Sequence, residues 1–199
     1  MATSLILASA STARRRLLEN AGLEFISEAA QVDERQLEQE IPQAERTPSS
    51  TAVHLAIAKA RAVSLRHPLS MIIGCDQTMS LGPDIFHKAA DRQGAERTLQ
   101  TLRSKTHHLN SAVCLVRNGE VLWNHLSVAA MRMRYFSEDF LQSYLDRNGD
   151  AVLGSVGCYQ LEGEGIQLFE AIDGDYFSIL GLPLLPLLEE LRKLGINHA

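Results

Sequence analysis

Cysteine is scarce in this chain, and its distribution excludes several classes of protein. The three cysteines, Cys75, Cys114 and Cys158, lie far apart and form no Cys-x-x-Cys pair. An odd number of scattered thiols predicts neither a disulfide framework nor a zinc site. The pattern is typical of reduced thiols, so we expect the protein to be cytoplasmic.

Long apolar runs and an excess of basic charge are also missing. No run approaches the length of a membrane span, and residues 5–8 are too short for a signal-peptide core. A net charge of −5 argues against a surface that holds polymeric nucleic acid. We therefore expect neither a membrane nor a nucleic-acid partner. A few basic residues at one site can still hold a small phosphorylated ligand.

What is present is the composition of an ordinary globular protein. The chain has 199 residues, of which 45% are hydrophobic and 22% are charged, so it is long enough for one domain with a real core. Apolar runs and helical periodicities alternate along it. They predict strands over residues 4–8, 25–32, 71–75, 107–117 and 120–134, and helices over residues 13–21, 51–66, 91–103, 137–148 and 184–194.

The apolar run at residues 71–75 ends at Asp76, which is the first candidate for a functional residue. In α/β proteins, polar groups from several segments meet around a ligand at the C-terminal ends of strands. A carboxylate at that edge suits a general base or a metal ligand. The alternative is a strand-ending Asp that caps the next turn, and both interpretations stay open at this point.

A second candidate site follows the first strand, where hydroxyl residues precede a basic helix start. Ser9 and Ser11 are followed by Arg14 and Arg15. Free N–H groups, a favourable helix dipole and guanidinium groups converge there, as in an anion site. The alternative is a basic, solvated helix face. Arginines in a first turn oppose the helix dipole at a cost of about 0.3–1 kcal/mol each, which a bound anion would explain.

Two lysines and a pair of histidines are weaker candidates. Lys59 lies off the apolar stripe of its helix, and Lys88 follows a turn beyond Asp76. Either ammonium suits a phosphate, although solvated surface lysines are the ordinary alternative. The pair His107-His108 has no partner at ligand spacing, so we interpret it as part of a strand rather than as a metal site.

Taken in order, these motifs resemble the Maf-like family of nucleoside triphosphate pyrophosphatases over nearly the whole chain. Each segment is weak alone, but their order and spacing are specific. The segments are Leu5-Ile6-Leu7-Ala8-Ser9-Ala10-Ser11, Val32-Asp33-Glu34, Ala58-Lys59-Ala60, Ile73-Gly74-Cys75-Asp76-Gln77, Lys88, Gly163-x-Gly165-Ile166-x-Leu168-Phe169, Asp173-Gly174-Asp175-Tyr176 and Gly181-Leu182-Pro183.

The resemblance implies a fold and a reaction. The fold is α/β and Maf/ITPase-like: a long mixed sheet flanked by helices, with two lobes around a central cleft, usually as a homodimer. Water attacks the α-phosphorus of a nucleoside triphosphate and releases pyrophosphate and the monophosphate. Positioning and fixed positive charge dominate such a reaction.

The resemblance also implies a role for each site residue. Asp76 resembles the general base and Glu34 its acidic partner, and both resemble ligands of a divalent metal, Mg²⁺ or Mn²⁺. The residues that resemble the phosphate-binding set are Ser9, Ser11, Arg14, Arg15, Lys59 and Lys88.

Three positions bear on the choice of base: Ala13, Gln77 and Glu162. Family members that act on pyrimidine triphosphates typically have Arg, Thr and Gln there, whereas those that act on 7-methyl-GTP have Trp, Gln and Glu. Two of the three match the 7-methyl-GTP type, which we therefore predict. The alternatives are a UTP/TTP-type pyrophosphatase and a weakly active, nucleotide-binding regulator of cell division.

Overall fold

The structure is a computed structural model that describes residues 4–196. Its strands are β1 (Leu5–Leu7), β2 (Ile26–Ser27), β3 (Met71–Leu81), β4 (Asp84–Phe86), β5 (Thr106–Arg117), β6 (Glu120–Met133) and β7 (Phe169–Asp173). Its helices are α1 (Thr12–Asn20), α2 (Glu34–Glu40), α3 (Pro48–Ser64), α4 (Arg92–Leu102), α5 (Glu138–Asn148), α6 (Tyr176–Ile179) and α7 (Leu184–Lys193). Short 3₁₀ turns cover Gly149–Gly154 and Glu164–Leu168.

The strands form one mixed sheet. Its order is β2-β1-β3-β5-β6-β7, and β4 pairs with β3. Strand β1 is parallel to β2 and β3, whereas β4 and β7 are antiparallel to their neighbours. The turn between β5 and β6 has φ values of 48° at Asn118 and 77° at Gly119, as a tight primed turn requires. The predicted α/β class, a long mixed sheet flanked by helices, is confirmed.

The chain divides into two compact units, and the long strands β3, β5 and β6 contribute residues to both. The first unit contains the chain up to Gln77, then Asn110–Val128, and the residues from Asp175 onward. The second contains Thr78–Leu109 and Ala129–Gly174. The central cleft that the family resemblance implies stays a prediction.

The core of the first unit lies on both faces of its part of the sheet. Odd-numbered residues of β1, β3 and β5 pack with α1 and α7, and even-numbered residues of the same strands pack with α3. Successive side chains of a strand point to opposite faces, so both sets must be apolar when both faces are covered. This explains the unbroken apolar runs that precede Ser9 and Asp76.

Three sequence-based boundaries are wrong. The strand predicted over residues 71–75 continues to Leu81, because the residues after Cys75 still pair in the sheet, so Asp76 lies midway along β3 rather than at its C-terminal end. The strand predicted over residues 25–32 is limited to Ile26–Ser27, where Ile26 is 62% exposed on the edge strand of the sheet. The chain leaves the sheet after Glu28, whose N–H still donates to the Leu7 carbonyl at 2.9 Å and whose carboxylate pairs with Arg66 and His67. The long helix begins at Pro48 rather than at residue 51, because Thr47 caps it and forms a capping box with Ser50 in its first turn.

The second unit buries a polar pair that the sequence pattern does not reveal. His107 is fully buried, and its Nε2 atom lies 2.7 Å from the Tyr159 hydroxyl. The rest of this core contains apolar residues of α4 and α5, which pack against each other. Within residues 4–196, no helix has both the length and the apolar character needed to cross a membrane.

The burial of His107 predicts a pH dependence of stability. Burial, assisted by the charge of His108, lowers the pKa of His107 from 6.5 to about 4. Between these two pH values the unfolded chain binds a proton at His107 and the folded chain does not. The contribution of His107 to the free energy of unfolding is therefore complete above about pH 6.5 and is lost as the pH drops toward 4. Between pH 7 and about pH 4.5, we expect the free energy of unfolding of wild type to fall by about 2 kcal/mol more than that of His107→Gln. Denaturant unfolding at both pH values measures this, and parallel losses would contradict it.

Candidate active site

A close contact between helix α3 and strand β3 positions the candidate site. A Cβ atom added to Gly74 would lie 2.2 Å from the Ala56 carbonyl oxygen and 2.7 Å from the Ala60 Cβ atom. Only glycine allows this approach without displacing the helix backbone. Asp76 follows Gly74 on the strand and Lys59 precedes Ala60 on the helix, so the contact brings these two side chains together.

The ammonium group of Lys59 binds two carboxylates. Its Nζ atom lies 2.5 Å from Asp76 Oδ1 and 2.6 Å from Glu34 Oε1. The side chains of Lys59 and Asp76 are 11% and 8% exposed, whereas that of Glu34 is 55% exposed. Glu34 is the first residue of α2, and Asp33 caps this helix by accepting the Gln36 N–H at 3.1 Å. Helix α2, helix α3 and strand β3 thus meet at the Lys59 ammonium group.

The same carboxylates are a suitable pair of metal ligands. Because both contact one nitrogen atom, they are close enough to bind one cation together, and their combined charge exceeds that of Lys59. Among residues 4–196, no three His, Cys, Asp or Glu side chains gather into a larger cluster. Mg²⁺ is usually held by one or two carboxylates and keeps several waters, so this donor set fits it.

Cys75 lies beside Asp76 but is not a candidate nucleophile. It is fully buried, and burial raises the pKa of its thiol to about 11. A thiol with this pKa remains protonated near neutral pH, whereas nucleophilic attack requires the thiolate. This excludes Cys75 as the nucleophile and leaves Asp76, midway along β3, as the candidate of this segment.

Three residues of the predicted phosphate-binding set form one hydrogen-bonded group. Ser11 caps α1 by accepting the Arg14 backbone N–H at 3.4 Å. Ser9 Oγ accepts the Ser11 N–H at 3.2 Å and an Arg14 Nη1 hydrogen at 3.4 Å. Arg14 also donates to the carbonyls of Gly181, at 2.8 Å, and Cys75, at 3.2 Å. Much of its hydrogen-bonding capacity therefore serves to hold α1 against β3 and the segment before α7.

The neighbours of Arg14 on the same helix differ from it in environment. Arg15 is exposed and pairs with Glu19 at 3.6 Å, on the outside of the helix. Ala13 is partly buried. The structure thus unites Ser9, Ser11 and Arg14, and it does not place Arg15 in their hydrogen-bonded group.

Gln77 is held by residues that sequence reasoning missed. Its Nε2 atom donates to Ser111 Oγ at 2.8 Å and lies 3.1 Å from the carbonyl oxygens of both Ser178 and Ile179. Ser178 is held in turn by the Asp175 carboxylate. Of these residues, only Asp175 lies in a motif that carries the family resemblance. Ser111 and Ser178 are buried hydroxyls with no distinctive spacing, so no sequence signal identifies them.

Lys88 and Glu162 belong to the second unit and are exposed. Lys88 follows strand β4. Glu162 lies in the turn from Gln160 to Gly163, which is closed by the Gly163 N–H donating to the Gln160 carbonyl at 3.2 Å. Their positions relative to Asp76 stay predictions.

Comparison with known proteins gives the family. The profile described as Maf-like protein matches residues 4–194. The chain belongs to the Maf-like family. This confirms the resemblance drawn from the motifs.

Several Maf-like relatives cover almost the whole chain. A 7-methyl-GTP pyrophosphatase of Rhizobium johnstonii is 55% identical over 98% of both chains, and one of Brucella abortus is 54% identical over 97% of both. A nucleoside triphosphate pyrophosphatase of Paramagnetospirillum magneticum is 50% identical over 96% of this chain and 98% of its own. A solved HAM1 protein from Coxiella burnetii matches 66% of this chain and 73% of its own, with a TM-score of 0.43 and 15% identity.

The buried contact between Lys59 and Asp76 predicts a large loss of stability when the cation alone is removed. Lys59→Met leaves Asp76 buried without its partner, which typically costs about 3–5 kcal/mol. Adding Asp76→Asn removes the isolated charge, so the double variant should recover part of the loss. Denaturant unfolding near pH 7 measures the free energy of unfolding of wild type, of Lys59→Met and of the double variant.

Lys193→Met is the matched control, because Lys193 pairs with Glu189 on an exposed helix surface. We expect it to leave the unfolding midpoint unchanged. Equal effects of the two lysine substitutions would show that the ion pair of Lys59 does not stabilise the site.

Proposed function

We propose that the protein is a nucleoside triphosphate pyrophosphatase, which hydrolyses its substrate to a nucleoside monophosphate and pyrophosphate. The observation that carries the proposal is the Lys59 ammonium held between Glu34 and the buried Asp76. Maf-like relatives 50–55% identical over nearly the whole chain bear the names 7-methyl-GTP pyrophosphatase and nucleoside triphosphate pyrophosphatase, which supports it.

In the proposed mechanism, Asp76 acts as the general base. Lys59 holds its Oδ1 atom, and we assign the other carboxylate oxygen to take the proton of the attacking water. The water oxygen bonds to the α-phosphorus while the bond to the bridging oxygen breaks, and pyrophosphate leaves with that electron pair. A burial of about nine-tenths keeps Asp76 in a fixed orientation for this transfer.

We further propose that Glu34 and Asp76 hold a divalent cation, Mg²⁺ or Mn²⁺. When bound, such an ion supplies positive charge to the phosphate oxygens and lowers the pKa of a coordinated water. Glu34 is suited to exchange between Lys59 and a cation, because its side chain is the exposed member of the group. Asp76 is the buried member, with its side chain 8% exposed.

The proposed phosphate-binding groups are the hydroxyls of Ser9 and Ser11, the side chains of Arg14 and Arg15, and the two lysines, Lys59 and Lys88. The amino-terminal end of α1 adds free N–H groups to this set. Phosphates carry no information about the base. Loss of any one of these groups should therefore weaken all nucleotides alike.

For the base, we propose a guanine-type ligand such as 7-methyl-GTP. The Glu162 carboxylate can accept hydrogen bonds from guanine N1–H and N2–H₂, which uracil and thymine do not reproduce. Gln77 has an amide whose orientation is held by Ser111 and Ser178. Ala13 stands where a stacking Trp is typical of 7-methyl-GTP enzymes, so discrimination between methylated and plain guanine should be weak.

We also propose, from the family resemblance, that the protein is a cytoplasmic homodimer. Sedimentation velocity of the purified full chain tests the oligomeric state. A single species with the mass of one chain at micromolar concentration would contradict it.

The first functional prediction concerns Asp76→Asn, which keeps the size of the side chain but removes the base. We expect pyrophosphate release to fall by about 10²–10⁴-fold, as is typical when a positioned base is lost. The matched control is Asp139→Asn, because Asp139 is an exposed residue in the first turn of α5. If Asp76→Asn retained activity within a few-fold of wild type, Asp76 would be a structural residue.

The second functional prediction concerns Glu162→Gln, which removes the carboxylate proposed to recognise guanine. A site built to pair polar groups rejects a ligand that leaves them unpaired, so wild type should prefer 7-methyl-GTP over UTP and TTP. The variant should lose most of that preference. Specificity constants for the three triphosphates measure it, with Glu120→Gln, at the exposed first residue of β6, as control. A wild-type preference for UTP or TTP by about tenfold would refute the base assignment alone.

A further inference from the structure

The mechanism leaves unexplained the buried aromatic residue that immediately precedes the Glu162 turn. Tyr159 is 6% exposed, and its ring meets Phe169 edge-on at a centroid distance of 4.8 Å. Its hydroxyl lies 2.7 Å from His107 Nε2. All of these residues belong to the second unit, which also contains Glu162.

The backbone around Tyr159 is held by hydrogen bonds with the side chains of Ser155 and Tyr144. Ser155 Oγ donates to the Tyr159 carbonyl at 2.6 Å and accepts its N–H at 3.1 Å. The preceding residue, Cys158, has a φ of +57°, and its carbonyl accepts the Tyr144 hydroxyl at 3.1 Å. The chain therefore enters the Glu162 turn in a strained conformation that these side chains hold in place.

Two glycines allow close packing around Tyr159 and the residue that follows it. A Cβ atom at Gly157 would lie 2.2 Å from Tyr159 Cε1. One at Gly165 would lie 2.5 Å from the Gln160 carbonyl oxygen and 2.9 Å from Tyr159 Cβ. The turn that carries Glu162 is thus held by Tyr159 on one side and by the close approach of Gly165 on the other.

His107 supports this arrangement at a cost. It is fully buried on β5, and its Nδ1 atom has no hydrogen-bond partner among the described residues. A buried polar atom without a partner typically costs about 1–3 kcal/mol. An apolar side chain would avoid that cost, so packing alone does not explain a histidine here. Within residues 4–196, its side-chain hydrogen bond is the one to Tyr159, and this contact distinguishes it from an apolar residue.

We propose that the hydrogen bond between His107 and Tyr159 positions Glu162 for recognition of the base. The inference rests on the proposed function, because it assigns a use to the base-recognition role of Glu162. His107 and Tyr159 are positioning residues and do not touch the substrate. Through the turn closed between Gln160 and Gly163, they set where the Glu162 carboxylate lies.

Kinetics of Tyr159→Phe test this, because the substitution removes the hydroxyl and keeps the ring. We expect the ratio of kcat/KM for 7-methyl-GTP to kcat/KM for UTP to fall roughly tenfold. In a Glu162→Gln background the same substitution should leave the ratio unchanged, since the group that it positions is gone. Ser64→Ala is the control: it removes a buried hydroxyl that accepts the Gly119 N–H at 2.9 Å, far from this turn in the sequence.

Variants of His107 supply a second, independent comparison. An amide nitrogen or oxygen of His107→Gln can reach the hydroxyl of Tyr159, whereas His107→Leu cannot bond to it. We expect His107→Gln to keep the ratio within about threefold of wild type, and His107→Leu to match Tyr159→Phe. If the ratio of the two kcat/KM values fell equally in both His107 variants, the hydrogen bond to Tyr159 would not determine base preference, and the proposal would be overturned.

Amide hydrogen exchange provides a readout that does not depend on activity. Tyr159→Phe should speed exchange in the peptide containing Gly163 more than elsewhere in the chain, because the Gly163 N–H closes the turn. Uniform acceleration, or an unchanged kinetic ratio in an active Tyr159→Phe enzyme, would overturn the positioning role and leave the proposed function intact. A wild-type protein that releases no pyrophosphate from either triphosphate would overturn both.

Discussion

The candidate site depends on one ammonium group, that of Lys59. Two carboxylates from distant parts of the chain, Glu34 and Asp76, bind the same nitrogen atom. Without it, two like charges would lie close together in a partly dehydrated place, which is unfavourable for both. The group also requires the close packing at Gly74, because a single methyl group there would separate α3 from β3. A backbone contact between apolar residues thus determines the position of the charged ones.

Local patterns in the sequence were enough to predict most of the fold. The helices predicted over residues 13–21, 91–103 and 137–148 are confirmed within one residue at each end, because each is started by a local side-chain cap, from Ser11, Asp91 and Ser137. The strand predicted over residues 25–32 failed for the opposite reason. A strand on the sheet edge is limited by its neighbours, and the Glu28 carboxylate pairs with Arg66 and His67, distant residues that no local pattern reveals.

The candidate site was harder to predict, because burial is a property of the whole fold. Asp76 was identifiable from the apolar run before it, but Lys59 looked like a solvated residue off the apolar stripe of its helix. Its burial follows from a helix–strand contact between residues distant in sequence. The same is true of Gln77, whose partners Ser111 and Ser178 lie on other elements. Arg14 shows that a residue of the predicted phosphate-binding set can also hold the protein together, through the carbonyls of Gly181 and Cys75.

Each unit contains a buried polar contact that an apolar replacement would make unnecessary. In the first unit it is Lys59 with Asp76, and in the second it is His107 with Tyr159. Buried charges and unpaired ring nitrogens oppose folding, so a core selected for stability alone would exclude both. Each contact instead adjoins or includes a residue with a proposed role toward the nucleotide, Asp76 for the phosphates and Glu162 for the base. Rigid polar support of this kind holds a reacting or recognising group within the narrow range of positions that its chemistry requires.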